Sequence, residues 1–186
     1  MTGGFLFFRL IWDAHHVWFP LRINSVNMKE LHIAPETAHP FGRKGLALAS
    51  AWKQMADEGT PGMLILDGDV VIDPYDYVMM YQAIMSEPTA VHIAPVRIWP
   101  VSKNDLGGWS WGHCRENNFG QVMEMNPDFF AFNFTYVPRA VIERAIGDGL
   151  KDRQFPHVDR HMSATARKLG TPMRVVDACR PKHLHY

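Results

Sequence analysis

The run Met63-Leu64-Ile65-Leu66 stops on Asp67-Gly68-Asp69, two carboxylates flanking a glycine. Pro61 and Gly62 bound it upstream, and a short apolar run between such breakers reads as a buried strand. A strand of this kind puts its apolar part inside and leaves the acids at its end. Side chains alternate faces, so on a straight strand Asp67 and Asp69 share a side and Gly68 opposes them. Gly68 also lets the chain turn and lets a ligand come close to the backbone. Two hard oxygen ligands at such an edge suit Mg²⁺ or Mn²⁺, with phosphate oxygens completing the shell. The same Asp-Gly pair also suits a turn in which the aspartates cap loop amides.

At 186 residues the chain is read as one domain, 1–186, long enough to bury a sizeable core. Its apolar share of 47% and charged share of 20% are those of an ordinary globular protein. No apolar run approaches the ~20 residues that span a bilayer, so no membrane insertion is expected. Residues 5–12 are apolar but interrupted by Arg9, lack a cationic lead-in and are too short for a signal peptide, so they read as a first strand. Cys114 and Cys179 make no disulfide framework and lack Cys-x-x-Cys spacing, which points to a reducing cytoplasm and away from structural zinc. Net charge is zero, yet from Arg139 onward ten Lys/Arg stand against five Asp/Glu, and before it nine stand against fourteen. A basic C-terminal third facing an acidic site suits an anionic partner, and scattered helix-face charges give the same count.

Upstream of that strand, His15 and His16 sit in a polar loop, and residues 31–34 read as a second strand. Gly42-Arg43-Lys44-Gly45 leads into a helix in which Leu48, Trp52 and Met55 fall at i, i+4 and i+7, ended by Gly59 and Pro61. A basic, glycine-bearing helix start offers backbone N–H groups and the helix dipole to a phosphate, although the Walker ending is absent. Surface cations at an ordinary helix start would look the same. Pro74 opens a second helix over residues 75–85. Residues 90–98 form a strand whose Pro95 marks an edge or a bulge, with His92 as a core or edge histidine. Trp109 and Trp111 lie in a glycine-rich loop that either packs down or covers a ligand as a lid. Residues 129–137 read as an aromatic strand, and Pro138 opens a third helix. A fourth helix carries Val158, Met162, Thr165 or Ala166, and Leu169 inward, stopped by Gly170 and Pro172. Asp159 falls in its first turn, where the dipole favours a carboxylate anyway. A last strand over residues 173–178 leads to the tail with His183 and His185.

From residue 41 to the C-terminus this succession resembles a GT-A glycosyltransferase, and among those the family-2-type nucleotide-sugar enzymes. Leu66-Asp67-Gly68-Asp69-Val70-Val71-Ile72-Asp73-Pro74 is close to that family's metal motif. The resemblance implies an α/β, Rossmann-like fold with a mixed, mostly parallel sheet flanked by helices. It implies a divalent ion, Mn²⁺ or Mg²⁺, on Asp69, with Asp67 near the ribose and the metal. It places Arg43 and Lys44 near the donor, Asp159 as the catalytic base of an inverting transfer, and His183 or His185 as a further metal ligand. The partners it implies are a nucleotide-diphosphate sugar and an acceptor hydroxyl, on a saccharide or on a modified base in DNA. The chain departs from the pattern in carrying Val158-Asp159 where an acidic pair is usual, and in offering only Asp13, Glu30 and Glu36 as an early uridine-binding acid. Two other readings stand beside it. Asp67-Gly68-Asp69-Val70-Val71 also fits the nucleophile motif of a haloacid-dehalogenase-like phosphatase, although 66 residues precede it. A non-catalytic protein of the same fold could bind a nucleotide sugar or a nucleic acid.

Overall fold

The computed structural model describes residues 6–10, 29–33, 44–67, 70–95, 97–98, 114–116, 122–125, 130, 132, 134–153 and 157–183. In chain order these form β1 (Leu6–Leu10), β2 (Lys29–Ile33), α1 (Lys44–Met55), β3 (Gly62–Asp67), β4 (Val70–Val71), α2 (Pro74–Ser86), β5 (Val91–Ile93), β6 (Arg97–Ile98), β7 (Cys114–Glu116), β8 (Val122–Met125), β9 (Phe134–Pro138), α3 (Arg139–Gly147), a 3₁₀ turn (Leu150–Asp152), α4 (His157–Lys168), β10 (Met173–Val175) and β11 (Lys182–His183).

Six strands form the main sheet in the order β10-β5-β9-β3-β1-β2. The sheet is mixed and mostly parallel, as the resemblance implied: five of its six strands run in one direction and β9 runs against them. β2, β1 and β3 run parallel, as do β5 and β10, but β9 is antiparallel to both of its neighbours. A parallel strand needs a crossover that carries the chain back to its starting edge. Here the chain leaves β5 at one edge of the sheet and enters β9 at that same edge, since Ile93 pairs with Thr135 and Leu66 with Phe134. The direction of β9 follows from that re-entry.

Alternation along β3 divides the core. Met63 and Ile65 join Leu48, Ala51 and Trp52 of α1, Val141, Ile142 and Ala145 of α3, and Val158, Met162 and Ala166 of α4. Leu64 and Leu66 face the other way, towards Tyr77, Met80 and Ile84 of α2. The sheet is therefore sandwiched between helices, which is why β3 reads as a continuous apolar run.

Several local readings need correction. Pro95 marks neither an edge strand nor a bulge: β5 ends at Ile93 in the sheet interior, and β6 belongs to a second sheet, β4-β11-β6. The aromatic strand begins at Phe134, because Phe130 donates its N–H to Ser163 Oγ (2.9 Å) instead of to a ladder. Strict alternation would put residues 130, 132, 134 and 136 on one face. Phe130 and Phe132 instead pack with α1 and α4, and Phe134 and Tyr136 pack with α2. Leu169 is not inward but 43% exposed, since α4 has ended one residue earlier. Gly170 does stop α4 as expected: at φ 64° it lets Thr171 N–H reach back to Ala166 O and its own N–H to Arg167 O.

The start of α2 anchors the C-terminal segment. Asp73 and Asp76 form a capping box, Asp73 accepting from Asp76 N–H (2.9 Å) and Asp76 from Asp73 N–H (3.2 Å). The buried Asp76 carboxylate also accepts Arg180 N–H at 2.6 Å, and its backbone carbonyl accepts the Cys179 thiol. That turn delivers β11 to β4, with His183 paired to Val70. Asp76→Ala removes a cap and a buried acceptor together, so it should cost about 2–4 kcal/mol in denaturant unfolding. A loss under ~0.5 kcal/mol would mean that the tail is held by other contacts.

Candidate functional site

The end of β3 and the first turns of α1 and α4 meet at one edge of the main sheet. Asp67 keeps the parity of Met63 and Ile65, so it belongs to the face covered by α1 and α4. Lys44 is the first residue of α1. Its ammonium donates to both oxygens of Asp67, at 2.9 and 3.2 Å. Asp159, in the first turn of α4, has its Oδ1 at 3.9 Å from the same ammonium, an ion-pair distance beyond hydrogen bonding. These side chains are largely withdrawn from solvent: Lys44 is 9% exposed, Asp67 17% and Asp159 6%.

Two features absent from the sequence reading hold this cluster together. The first is the segment leading into β9. Ser163 of α4 receives Phe130 N–H and donates to Asp159 O (2.8 Å), tying that segment to the helix that carries the acid. Phe132 then hydrogen-bonds the Asp159 carboxylate through its backbone N–H and places its ring 5.1 Å below the Lys44 ammonium. The second is Gly45. A Cβ there would lie 2.1 Å from Leu150 O and 2.8 Å from Arg153 O, so only glycine lets α1 approach the 3₁₀ turn this closely. The sequence signals were present, in the Phe-x-Phe pattern and in glycine following lysine, but each has commoner meanings in a strand or a helix start.

Burial dominates the electrostatics of Asp159. Loss of water pushes its carboxyl up to about 6, against the opposing pull of Lys44 and with a further push from Asp67. The dipole of α4 favours the anion but does not win. Oδ1 has no hydrogen-bond donor among the described residues. With both acids ionised, one ammonium faces two carboxylates, so the described cluster carries net negative charge and favours a further cation.

Arg43, Asp69, Trp109, Trp111 and His185 lie outside the described residues, and His183 is described by its backbone alone. Of the expected site residues, the structure brings together Lys44, Asp67 and Asp159. Pairing of β11 with β4 also sets His183 opposite Val70, the neighbour of Asp69 in the chain. Among the described residues, no group of three or more His, Cys, Asp or Glu side chains could hold a metal ion. The donor set of Asp67, Asp69 and a tail histidine nevertheless fits Mn²⁺ or Mg²⁺ in chemistry, and the excess negative charge fits it in sign.

No described helix is long and apolar enough to cross a membrane. No protein-family model and no curated protein matches the chain. Among solved structures it is similar to GalNAc-T7 crystallised with UDP, GalNAc and Mn²⁺, at 12% identity and TM-score 0.49, over 85% of this chain and 32% of that one. It therefore spans about a third of the GalNAc-T7 chain. It is also similar to A197 from STIV, at 15% identity and TM-score 0.49, over 98% of this chain and 86% of that one. The chemistry of the site rests on its own geometry.

Proposed function

We propose that residues 1–186 act as one GT-A-like domain that transfers a sugar from a nucleoside-diphosphate donor to an acceptor hydroxyl with inversion, dependent on Mn²⁺ or Mg²⁺. The observation that carries this reading is Asp159. A general base must be ionised near neutral pH, must have a pKa close enough to it to take a proton, and must keep a lone pair free to receive it. Burial pushes Asp159 to about 6, and its Oδ1 lacks a donor among the described residues. In this reading the acceptor hydroxyl gives its proton to Asp159 as its oxygen bonds the anomeric carbon, and the bond to the diphosphate breaks. A divalent ion held by Asp67, Asp69 and either His183 or His185 would neutralise the departing diphosphate. Arg43 and Lys44 add positive charge and helix N–H groups for donor phosphates. Trp109 and Trp111 supply the aromatic cover over donor or acceptor. The acceptor is a saccharide or a hydroxylated base in DNA; turnover that falls steeply with salt selects the second.

Melting of the wild type and of Asp69→Ala, with a panel of nucleotide sugars and with or without Mn²⁺, tests the reading. A donor at ~100 times its Kd should stabilise the fold by ~2.7 kcal/mol. The expected result is one nucleotide sugar that shifts the melt only with metal, and no shift in Asp69→Ala. No binding by any donor, or phosphate release from monoesters without a nucleotide sugar, would overturn it, the latter in favour of the phosphatase.

A further inference from the structure

The solvent face of α4 carries charge of one sign. The side turned to water presents His157, Arg160, Arg167 and Lys168, with His161 and Ala164 half-buried among them. Asp159 is the only acid of the helix, and it is buried. α3 shows the ordinary arrangement: Arg139 pairs with Glu143 at 2.8 Å and Arg144 with Asp148 at 2.9 Å, so its cations are offset by acids four residues on. On α4 neither Arg160 nor Lys168 has a carboxylate three or four residues away. Asp148, whose carboxylate feels the charge of Lys168, is already held by Arg144. Arg167 adds a third cation beside them and has an interaction of its own within the chain.

We propose that this face of α4 binds the phosphate backbone of double-stranded nucleic acid. Eight residues separate Arg160 from Lys168, about 12 Å along the helix axis. A duplex presents one phosphate charge per ~1.7 Å of its own axis, so a row of cations on that scale meets several phosphates at once. The face carries no Phe, Tyr or Trp, so it offers unpaired bases no stacking platform and its contacts fall on phosphate. The chain as a whole is neutral, so the attraction belongs to this face and not to net charge. The face begins in the turn that carries Asp159, and a duplex lying along α4 is therefore held at the edge of the candidate site. Resting on the transferase reading, this placement selects the base in DNA over the free saccharide as acceptor; the binding itself needs no donor, metal or transfer.

The test is fluorescence anisotropy of a labelled DNA duplex, with neither nucleotide sugar nor metal, at ~50–200 mM salt. The proteins are the wild type, the double variant Arg160→Gln/Lys168→Gln, and Lys53→Gln. Lys53 is exposed in the last turn of α1 and controls for diffuse charge. The two single variants on α4 replace the double one if its melt shows that it does not fold. Wild-type affinity should fall steeply with salt. The double variant should bind roughly tenfold or more weakly, with the slope of log affinity against log salt smaller by about 2, and Lys53→Gln should bind as the wild type does. A double variant that binds like the wild type, or a loss in Lys53→Gln as large as in a single variant on α4, would overturn the assignment to this face. Tighter binding of a sulfated polysaccharide than of the duplex would overturn nucleic acid as the partner. A wild type that binds no duplex but whose melt shifts with a nucleotide sugar overturns this inference alone. Duplex binding without any shift by a donor leaves this surface standing and overturns the transferase.

Discussion

Asp159→Asn is expected to reduce the proposed sugar transfer by about 10²–10⁴-fold while making the protein relatively more stable as pH rises. Asparagine keeps the shape and the capacity to accept from Phe132 N–H, but it cannot take a proton from the acceptor. The stability effect follows from burial. The folded carboxyl sits at about 6 against an ordinary 3.8, so the folded state binds the proton more tightly than the unfolded chain. The resulting stabilisation is full below pH ~3.8 and is lost as pH rises through about 6. Between pH 4 and 7.5 the balance between variant and wild type should therefore move in favour of the variant, by up to ~3 kcal/mol. Parallel melts of both proteins across that range measure it, and a balance that does not change with pH would mean the carboxyl is not held up by burial. In the proposed transfer the same group sets the pH profile. Wild-type turnover should rise through pH ~6 as Asp159 ionises, and that rise should be absent from the residual rate of the asparagine variant.

Gly45→Ala should unfold the protein more readily than any other glycine-to-alanine change in the helices. The added Cβ would meet Leu150 O at 2.1 Å, Arg153 O at 2.8 Å and Leu150 C at 3.2 Å. All three are backbone atoms, so no rotamer relieves the overlap, and α1 must lift away from the 3₁₀ turn. That movement opens the seam lined by Leu48, Leu150 and Val158, at a cost of about 3 kcal/mol or more. The melting temperature should fall by ~6–12 °C. Lys44 moves with α1, so the variant should also lose the ion pair with Asp67. Gly147→Ala on α3 is the control, because a Cβ there meets nothing within 4 Å. That change should leave stability unchanged or slightly raised. Equal melting of the two variants would remove the close approach of α1 as a requirement of the fold.

Part of the site was legible before the fold was seen, because it is written in local pattern. The parity of Met63, Ile65 and Asp67 sets one acid on one face of one strand, and the helix of residues 44–55 can be read from Leu48 and Trp52. Helix ends at Pro74 and Gly170 follow from single-residue backbone preferences. The aromatic stretch misled for a definite reason. Phe130, Phe132, Phe134 and Tyr136 alternate like one strand, yet Ser163, 33 residues further on, takes the amide that a ladder would need.

By itself, then, the sequence determined the four helices and the buried strand β3, where an acid ends that strand and where another opens α4. Periodicity, capping and breakers act over a few neighbouring residues, so they leave a local trace. Tertiary structure alone decided that β9 re-enters at the edge where Asp67 ends β3, that Lys44 bridges towards both acids, and that Asp159 is buried deeply enough to hold a proton near pH 6. Those outcomes depend on loss of water and on charges brought together from distant segments. Both are properties of the packed molecule, and no window along the chain contains them.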